Sequence, residues 1–535
     1  MRRHADGRTS GRADARIGVP AHRRTAFALR ALLLCVCCVS ASVRPAAGQQ
    51  CPDGTPAPCV RPAAGPPPNS VAVLPFANLM RDTADAYLSP GLASEISNSL
   101  SGVPRLDVRS PALAQRPSGD AVPDPRALGR RHNVRYVVEG DFQRGGDRLR
   151  VRVRLITVAT GTQRWSSAYT RPVADLLAVQ EEIAREVASS IAGQLLPPER
   201  AALAVHATRN PAAYDHLLRG NFFLARRTRE DIGRAIEEYD QAAGRDPALA
   251  QAHARIALGY ALLLERDQVG SLSRDSALAR GFRAAERALT ADSASADGWM
   301  AKGYLLAIRD PREYAGVMPA FERAVALDPR NPEVLHQYAS KLWELGQGER
   351  AVTAERQALA IEPARPISHM VIALVYEGQR RFELAELALD SALAIDPFYL
   401  DAFLDRAYVR LLRGESAAAH ADADEALRLS TGVRRSAWAL EAAALAAGGD
   451  SAAARTALAH ALAPEEQERY GLMDMIWIAV ALESCGRTDD AIAMLARMPR
   501  GAVTWAAIDR RFPNLHGDPR FQQVLEANRP SGAPR

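Results

Sequence analysis

The chain has 535 residues, of which 47% are hydrophobic and 24% charged, values typical of globular proteins and outside the range of disordered or collagen-like chains. Its formal charge is +5, but the nine arginines and two aspartates of residues 1–49 contribute +7, which leaves the rest of the chain at −2. The net positive charge of the chain is therefore no indication of a nucleic-acid partner, and we expect no such partner.

Residues 23–48, RRTAFALRALLLCVCCVSASVRPAAG, have the pattern of a secretory signal. A basic region precedes an apolar core of 13 residues, and the small residues AAG follow it. Because a spanning helix needs about 20 apolar residues, we expect residues 1–49 to be a signal peptide and the protein to be periplasmic or otherwise extracytoplasmic. The alternative is an uncleaved inner-membrane anchor through residues 26–43.

Residues 50–69 are predicted to be a proline-rich linker. Eight prolines occur in residues 45–68, a composition typical of an extended, solvated segment. Cys51 and Cys59 either form a local disulfide after export or remain two free thiols. They predict no metal site, because no second Cys/His pair lies nearby.

The next stretch, SVAVLPFANL (residues 70–79), is predicted to be a strand, and DAYLSPGLASEISNSL (residues 85–100) a helix. A strand that leads through a glycine into a helix opens many nucleotide-binding folds, but those folds require GxGxxG or GxxxxGK[ST]. Neither motif is present, so Gly91 is interpreted as structural. We expect Asp85 or Ser89 to cap the helix and Pro90 to lie in its first turn.

Residues 136–158, YVVEGDFQRGGDRLRVRVRLITV, predict a hairpin with Gly145-Gly146 as its two-residue loop. This register places Asp141 opposite Arg150 and Glu139 opposite Arg152. The arginine stripe of this hairpin is either an anion-binding surface or, the interpretation we favour, the solvent face of a one-sided sheet that cross-strand carboxylates neutralise. The stripe consists of Arg148, Arg150, Arg152 and Arg154. A strand at 164–170 and an amphipathic helix within 173–195 follow. The apolar side of that helix comprises Leu176, Val179, Ile183, Val187 and Ile191.

Four segments of this region resemble the TolB-like amino-terminal domain, which is related to the FlgO-type domain of bacterial envelope proteins. They are VAVLPFAN, YLSPGLASEISNSLS, VRYVVEGDFQRGGDRLRVRVRLITVATGTQRW and LLAVQEEIAREVASSIA. The resemblance assigns residues 70–197 to a small mixed-sheet α/β domain that is not known as a catalytic fold. It implies that the first strand and helix are scaffold, and that an envelope protein is a possible partner.

The proline of LDP, IEP and IDP recurs at residues 329, 363 and 397, a spacing of 34 residues. This is the period of the tetratricopeptide (TPR) helical hairpin. The same period relates Phe321, Glu355 and Leu389, and separately Ala351, Ala385 and Ala419. We therefore predict an all-α TPR superhelical solenoid of about eight repeats over residues 211–500, a C-terminal cap at 501–528 and a disordered end at 529–535.

Members of the TPR family bind peptides along the first helices of their repeats. The resemblance implies a candidate peptide groove that suits an apolar or helical segment. The alternative is that several of these side chains pack between repeats. The groove residues are Met300, Tyr304, His336, Trp343, Met370, Leu374, Leu404 and Tyr408. Ser340, Glu377 and Leu411 occupy the same positions of their repeats.

The sequence contains no HExxH, GxSxG or Walker lysine motif. One dense set of metal-ligand types, His420, Asp422, Asp424 and Glu425, is interpreted as a solvated helix face, and Cys485 as a small core residue. We therefore assign no catalytic, cofactor-binding or metal-binding residue, and expect neither cofactor nor small-molecule substrate.

These observations predict an exported, non-enzymatic TPR adaptor or scaffold that mediates protein–protein interaction in the cell envelope. Relatives with this pair of domains often carry a winged-helix, kinase or cyclase module before it, where this chain has the signal-like segment. The alternative is therefore a regulatory TPR subunit, linked to signal transduction or transcription, that lacks its own effector domain. An enzyme with an unrecognised site in the α/β domain is a third hypothesis.

Overall fold

The computed structural model describes residues 65–109, 124–204, 207–226, 228–265, 269, 271–310, 312–363, 365–430, 435–463, 471–498, 500–531 and 533. The predicted signal peptide, its alternative anchor at residues 26–43, and the Cys51/Cys59 pair lie outside these residues. Within the described ranges, no helix is both long and apolar enough to cross a membrane.

The first part of the described chain is an α/β domain built on a mixed sheet. Its elements are β1 (Ser70–Val73), β2 (Ala77–Asn78), α1 (Leu88–Ser101), β3 (Asp107–Arg109), α2 (Pro125–Arg131), β4 (Tyr136–Gly145), β5 (Arg148–Thr157), β6 (Gln163–Pro172) and α3 (Leu176–Ala192). The strands follow the order β3-β1-β4-β5-β6, and β2 pairs with β4. Strand β1 is parallel to β3 and β4, whereas β5 is antiparallel to β4 and β6. The predicted mixed sheet is confirmed.

The two faces of the sheet are covered differently. Val71 and Val73 belong to the large core on the side of α1 and α3, whereas Ala72 belongs to a smaller core that Leu128 of α2 covers. This follows from the strand itself, in which successive side chains point to opposite faces. The five apolar positions predicted for the inner side of α3 are all buried.

The β4–β5 hairpin has a register that differs from the predicted one by two residues. Gly145 pairs with Arg148, so Gly146-Asp147 is the loop, and Gly146 takes the positive φ of +62° that such a turn requires. Asp141 consequently faces Arg152 and Glu139 faces Arg154, with N–O distances of 2.7 and 2.6 Å. The predicted pairs with Arg150 and Arg152 are wrong.

A shift of two residues leaves every side chain on its predicted face, because side chains alternate along a strand. Leu149, Val151 and Val153 are buried, and the arginines between them face solvent. The carboxylates of β4 pair with two of the four arginines of the stripe, as the solvent-face interpretation requires.

Helix α1 begins without a side-chain cap. Its N-cap residue is Tyr87, which makes no capping hydrogen bond. Asp85 instead pairs with Arg144 at 2.8 Å, and Ser89 already lies within the helix. The prediction that Asp85 or Ser89 caps this helix is therefore wrong, whereas Pro90 lies in its first turn as predicted.

Sixteen helices in the described part of residues 211–496 form eight consecutive hairpins, after a short helix α4 (Pro197–Leu203). We call the first helix of each hairpin its A helix and the second its B helix. The hairpins are α5 (Pro211–Leu224) and α6 (Arg229–Arg245), α7 (Ala250–Glu265) and α8 (Arg274–Ala291), α9 (Ala296–Arg309) and α10 (Val317–Leu327), α11 (Pro332–Glu344) and α12 (Gly348–Ile361), α13 (Pro366–Gly378) and α14 (Phe382–Ile395), α15 (Leu400–Leu412) and α16 (Ser416–Leu429), α17 (Arg435–Ala447) and α18 (Ser451–Leu462), and α19 (Leu472–Ser484) and α20 (Thr488–Ala496). Two further helices, α21 (Ala502–Arg511) and α22 (Pro519–Asn528), follow them.

The positions that recur every 34 residues are the contact positions of these hairpins. Ala351, Ala385 and Ala419 are fully buried on B helices, where a small side chain allows the two helices of a hairpin to approach closely. Each hairpin also packs against the next one along the chain. The predicted fold class, a small α/β domain followed by an all-α TPR solenoid, is confirmed.

The α/β domain is docked on the first hairpin. Leu218 of α5 lies against Gly91 of α1, where an added Cβ would meet its methyl carbon at 3.4 Å. The Tyr87 hydroxyl donates to Asp215, and the Arg219 guanidinium lies 4.2 Å from the centre of the Tyr87 ring. One continuous hydrophobic core therefore extends from the sheet into the early repeats.

Two glycines in the first hairpin should respond in opposite ways to alanine. In α5, a Cβ on Gly220 would lie 2.4 Å from the Tyr239 ring, whose hydroxyl is held by Asn221 at 2.8 Å. We expect Gly220→Ala to destabilise the protein by about 1–3 kcal/mol, because the ring cannot move without losing this bond.

Gly233 of α6 is the matched control, because nothing lies within 4 Å of a Cβ added there. Gly233→Ala should stabilise the protein by about 0.8–1.0 kcal/mol through helix propensity alone. Urea unfolding of both variants measures the two effects. Equal effects of the two substitutions would contradict the packing described for Gly220.

Candidate peptide groove

The A helices line the concave surface of a solenoid of helical hairpins, and the candidate groove residues all lie on them. Five of the eight are buried and three are half-buried. The buried residues are Met300, Tyr304, His336, Leu404 and Tyr408; the half-buried ones are Trp343, Met370 and Leu374.

The central part of the candidate groove is closed by side chains of the repeats themselves. The Nδ1 atom of His336 lies 2.8 Å from a carboxylate oxygen of Glu355, which belongs to the B helix of the same hairpin and is fully buried. The Lys341 ammonium lies 5.2 Å from the centre of the Tyr304 ring and 2.5 Å from Glu344. Tyr304 and His336 thus have partners inside the array.

Two of the remaining groove residues, Trp343 and Tyr408, contact the chain's own C-terminal segment. Helix α21 packs against the A helices α11, α13 and α19, and its last residue bonds to a fourth, α15. A helix that touches A helices of four different hairpins lies on the surface that those helices share. Helix α21 therefore occupies the concave groove.

Arg511, the last residue of α21, binds in a buried acidic pocket. Its Nε donates to Glu377 of α13 at 3.0 Å, and a terminal nitrogen donates to Asp405 of α15 at 2.5 Å. Two aromatic rings flank the guanidinium, that of Trp477 at 4.3 Å and that of Tyr408 at 5.6 Å. All five side chains are buried. We call these four partners of Arg511 the arginine pocket.

A hydrogen bond to the main chain and the charges of the pocket also hold Arg511 in place. The Tyr408 hydroxyl donates to the Arg511 carbonyl at 2.7 Å, so the end of α21 is held by main chain as well as side chain. Burial raises the pKa of Asp405, the Arg511 guanidinium opposes this shift, and Glu377 adds to it. Two carboxylates surround one guanidinium, so the pocket without Arg511 would be strongly unfavourable to bury.

Arg510 binds beside this pocket. Its guanidinium lies 4.9 Å from the centre of the Trp343 ring and donates to the Trp343 carbonyl at 2.9 Å. The side chain passes over Gly378, where an added Cβ would lie only 2.4 Å from Arg510 Cδ. The C-terminal segment of the same chain therefore covers Trp343.

After α21, helix α22 packs on α20, and the chain then returns to the third hairpin. The Ser531 N–H donates to the Arg312 carbonyl at 2.5 Å, and the Ser531 hydroxyl accepts from the Tyr314 N–H at 2.9 Å. These contacts differ from the prediction of a disordered end at 529–535. Residues 532, 534 and 535 of that prediction lie outside the described residues.

The set His420, Asp422, Asp424 and Glu425 does not converge on one point. His420 Nδ1 lies 2.7 Å from Glu441, and Asp422 is buried between Arg406 and Arg410, at 2.7 Å from each. The prediction that Asp422 faces solvent is wrong, because two arginines of the preceding A helix neutralise it. Among the described side chains, no group of three or more His, Cys, Asp or Glu has the arrangement of a metal site.

Cys485 directly follows α19 and is half-buried against the core of the later repeats. Burial raises the pKa of its thiol. It is thus partly inside the core, at a helix end and not within a helix.

Sequence reasoning missed Asp405, Trp477, Arg510 and Arg511. The available signal was the pattern of α21, in which Trp505, Ile508 and Arg511 recur every three residues, so that successive members are neighbours on the helix. An apolar face that ends in arginine, in a helix placed after the last repeat, requires a partner surface elsewhere in the chain.

Comparison with known proteins identifies no family for this chain. No family model matches the chain. A curated relative, "Putative adenylate cyclase 3" of Rhizobium meliloti, is 31% identical over 210 residues, which are 37% of this chain and 34% of the relative. The match thus spans about a third of that relative's length.

Solved structures similar to this chain include several TPR proteins. PilF of Pseudomonas aeruginosa is 20% identical, over 40% of this chain and 90% of its own, with a TM-score of 0.33. Yeast Tom70 is 15% identical, over 59% of this chain and 67% of its own, with a TM-score of 0.37. YrrB, described as a TPR protein with an unusual peptide-binding site, is 17% identical, over 36% of this chain and 93% of its own, with a TM-score of 0.27.

Removal of the Arg511 side chain should strongly destabilise the C-terminal half of the array. Arg511→Ala leaves Glu377 and Asp405 buried without a cation, and breaking a buried ion pair from one side costs about 3–5 kcal/mol. Urea unfolding, followed by the fluorescence of the tryptophans, measures the loss.

Arg520→Ala is the matched control, because Arg520 also bonds two carboxylates, those of Asp518 and Asp489, but its side chain is 55% exposed. We expect its unfolding midpoint to equal that of the wild type, since solvent screens such pairs. An Arg511→Ala midpoint equal to that of the control would contradict the buried pocket.

Proposed function

We propose that this protein is an exported, non-enzymatic scaffold that mediates protein–protein interaction in the cell envelope. The observation that carries the proposal is the seating of α21 in the concave groove. It supports the proposal, because the A helices there hold a helical segment of this chain through buried side chains. The signal-like pattern of residues 1–49 supports export, and the lack of catalytic motifs in the sequence supports a non-enzymatic role.

We further propose that residues 70–197 are a TolB-like domain that binds an envelope protein. The domain is fixed to the array by the packing of α1 on α5 and by the Tyr87 hydroxyl, which donates to Asp215 of α5. A partner bound to the sheet would be held at a defined position relative to the groove. The scaffold would thus hold two proteins together.

A second candidate is a regulatory TPR subunit that acts through a separately encoded effector. It is favoured by the 31% identity over 210 residues to a relative that is named as a putative adenylate cyclase. In this alternative the shared region would transmit binding at the groove to a signalling partner, and the protein would remain in the cytoplasm.

The two candidates predict different compartments. The untagged full chain, produced in a high-GC Gram-negative host, should appear in the periplasmic fraction with an intact mass that corresponds to cleavage near Gln49. An antibody should replace a C-terminal tag, because Ser531 bonds within the third hairpin. A full-length cytoplasmic product would contradict export and favour the regulatory subunit.

The scaffold role itself is tested by photo-crosslinking in the same cells. A photoreactive side chain at the half-buried Met370, on the A helix α13, should yield a crosslinked product heavier than the chain alone. The same group at the exposed Arg323, on the B helix α10, is the matched control and should yield none. Equal crosslinking at both positions would contradict a partner surface in the groove.

A further inference from the structure

We propose that the arginine pocket is the specificity site of the groove: it selects a partner helix that carries an arginine, and α21 occupies it as a competing ligand in cis. The inference rests on the proposed scaffold function for the existence of a partner. The chain itself provides both components of the interaction. Side chains of the array form the pocket, and Arg511 of the C-terminal segment binds in it.

The walls of the pocket come from three separate hairpins. Glu377 lies on α13, Asp405 and Tyr408 lie on α15, and Trp477 lies on α19. The pocket thus exists only when these A helices are stacked in the solenoid. It is a property of the concave surface and not of α21.

The composition of the pocket selects a guanidinium over other cations. Two carboxylates accept hydrogen bonds from one planar group, and an indole and a phenol ring have their centres 4.3 and 5.6 Å from it. A guanidinium has several donors in one plane and stacks on aromatic rings, whereas an ammonium is a compact point charge. Lysine in the same position would satisfy fewer of these contacts.

The remainder of the ligand is defined by the buried side chains of α21. Trp505, Ile508 and Arg511 are spaced by three residues, and all three are buried. Residues three apart are neighbours on a helix surface, and positions i and i+6 lie about 120° apart. The partner we infer is therefore a helix with an aromatic, an aliphatic and an arginine side chain at i, i+3 and i+6.

Helix α21 competes with such a partner because it is tethered. Only residues 497–501 separate it from α20, so its effective concentration at the groove is on the order of millimolar. A partner helix gains access when it binds more tightly than α21 or when the Arg511 contact is lost. The affinity that a partner helix needs is thus set by the strength with which α21 binds the groove.

The test uses purified full-length protein and fluorescein-labelled synthetic peptides of residues 500–515, followed by fluorescence anisotropy. One peptide has the natural sequence, and a second carries the substitution Arg511→Ala. The proteins are the wild type, Arg511→Ala, and the control Arg520→Ala. Circular dichroism verifies that each protein is folded.

We expect the Arg511→Ala protein to bind the natural peptide at least about tenfold more tightly than the wild type does, because its own α21 no longer fills the pocket. The Arg520→Ala control should behave as the wild type. The substituted peptide should bind the Arg511→Ala protein at least about tenfold more weakly than the natural peptide, because it leaves both carboxylates unpaired. Equal binding of the two peptides, or binding of neither to the folded variant, would overturn the proposal.

A second protein keeps the test decisive if Arg511→Ala fails to fold. A protease site inserted between residues 499 and 500 leaves every pocket contact in place until cleavage removes the tether. After cleavage, excess natural peptide should exchange with the cis segment, and the substituted peptide should not. Exchange of both, or of neither, would overturn the arginine pocket. Export plays no part in these measurements, so their failure is distinguishable from failure of the proposed envelope function.

Discussion

The buried contact of Arg511 with Glu377 and Asp405 is the interaction on which the later half of the molecule depends. Two carboxylates on neighbouring A helices repel one another in a buried setting unless a cation lies between them. All three groups are buried together because the end of α21 brings Arg511 to both carboxylates. Once it lies there, the Tyr408 hydroxyl and the Trp343 carbonyl find partners on the same helix.

This contact means that the concave surface is already covered by part of the same chain. The surface that suits a helical partner is already engaged with a helix, and the C-terminal residues continue from it back to the third hairpin. At the other end of the array, the packing of α1 on α5 and the Tyr87–Asp215 hydrogen bond fix the α/β domain to the first hairpin. Under the proposed function, binding of an external partner to the groove would be an exchange, in which an intramolecular ligand leaves as the new one enters.

Local regularities made much of the fold predictable from the sequence. The 34-residue spacing and the alanines at Ala351, Ala385 and Ala419 identify the hairpins, because each copy repeats the same contact between neighbouring helices. Alternation along β5 identified its buried face correctly. The hairpin register was wrong by two residues because Gly145 and Gly146 both suit a turn, and only the full length of β4 distinguishes them.

Contacts between distant parts of the chain could not be predicted in this way. Arg511 lies 134 residues from Glu377 and 106 from Asp405, and no period relates these positions. Asp422 was misplaced for a similar reason, since the arginines that neutralise it lie on another helix of the same hairpin. From the sequence alone, a charged residue on a helix is interpreted as solvent-exposed unless the helix that packs against it is known.

The seating of α21 in the groove is tested most directly by native-state hydrogen exchange of the wild-type full chain. Peptic fragments that cover residues 502–511 should exchange as slowly as those of α13 and α15, because a helix locked in the core exchanges only when that core opens. A helix of ten residues without tertiary contacts is marginal in water. Exchange of these amides within seconds, while α13 and α15 remain protected, would contradict an intramolecular ligand in the groove.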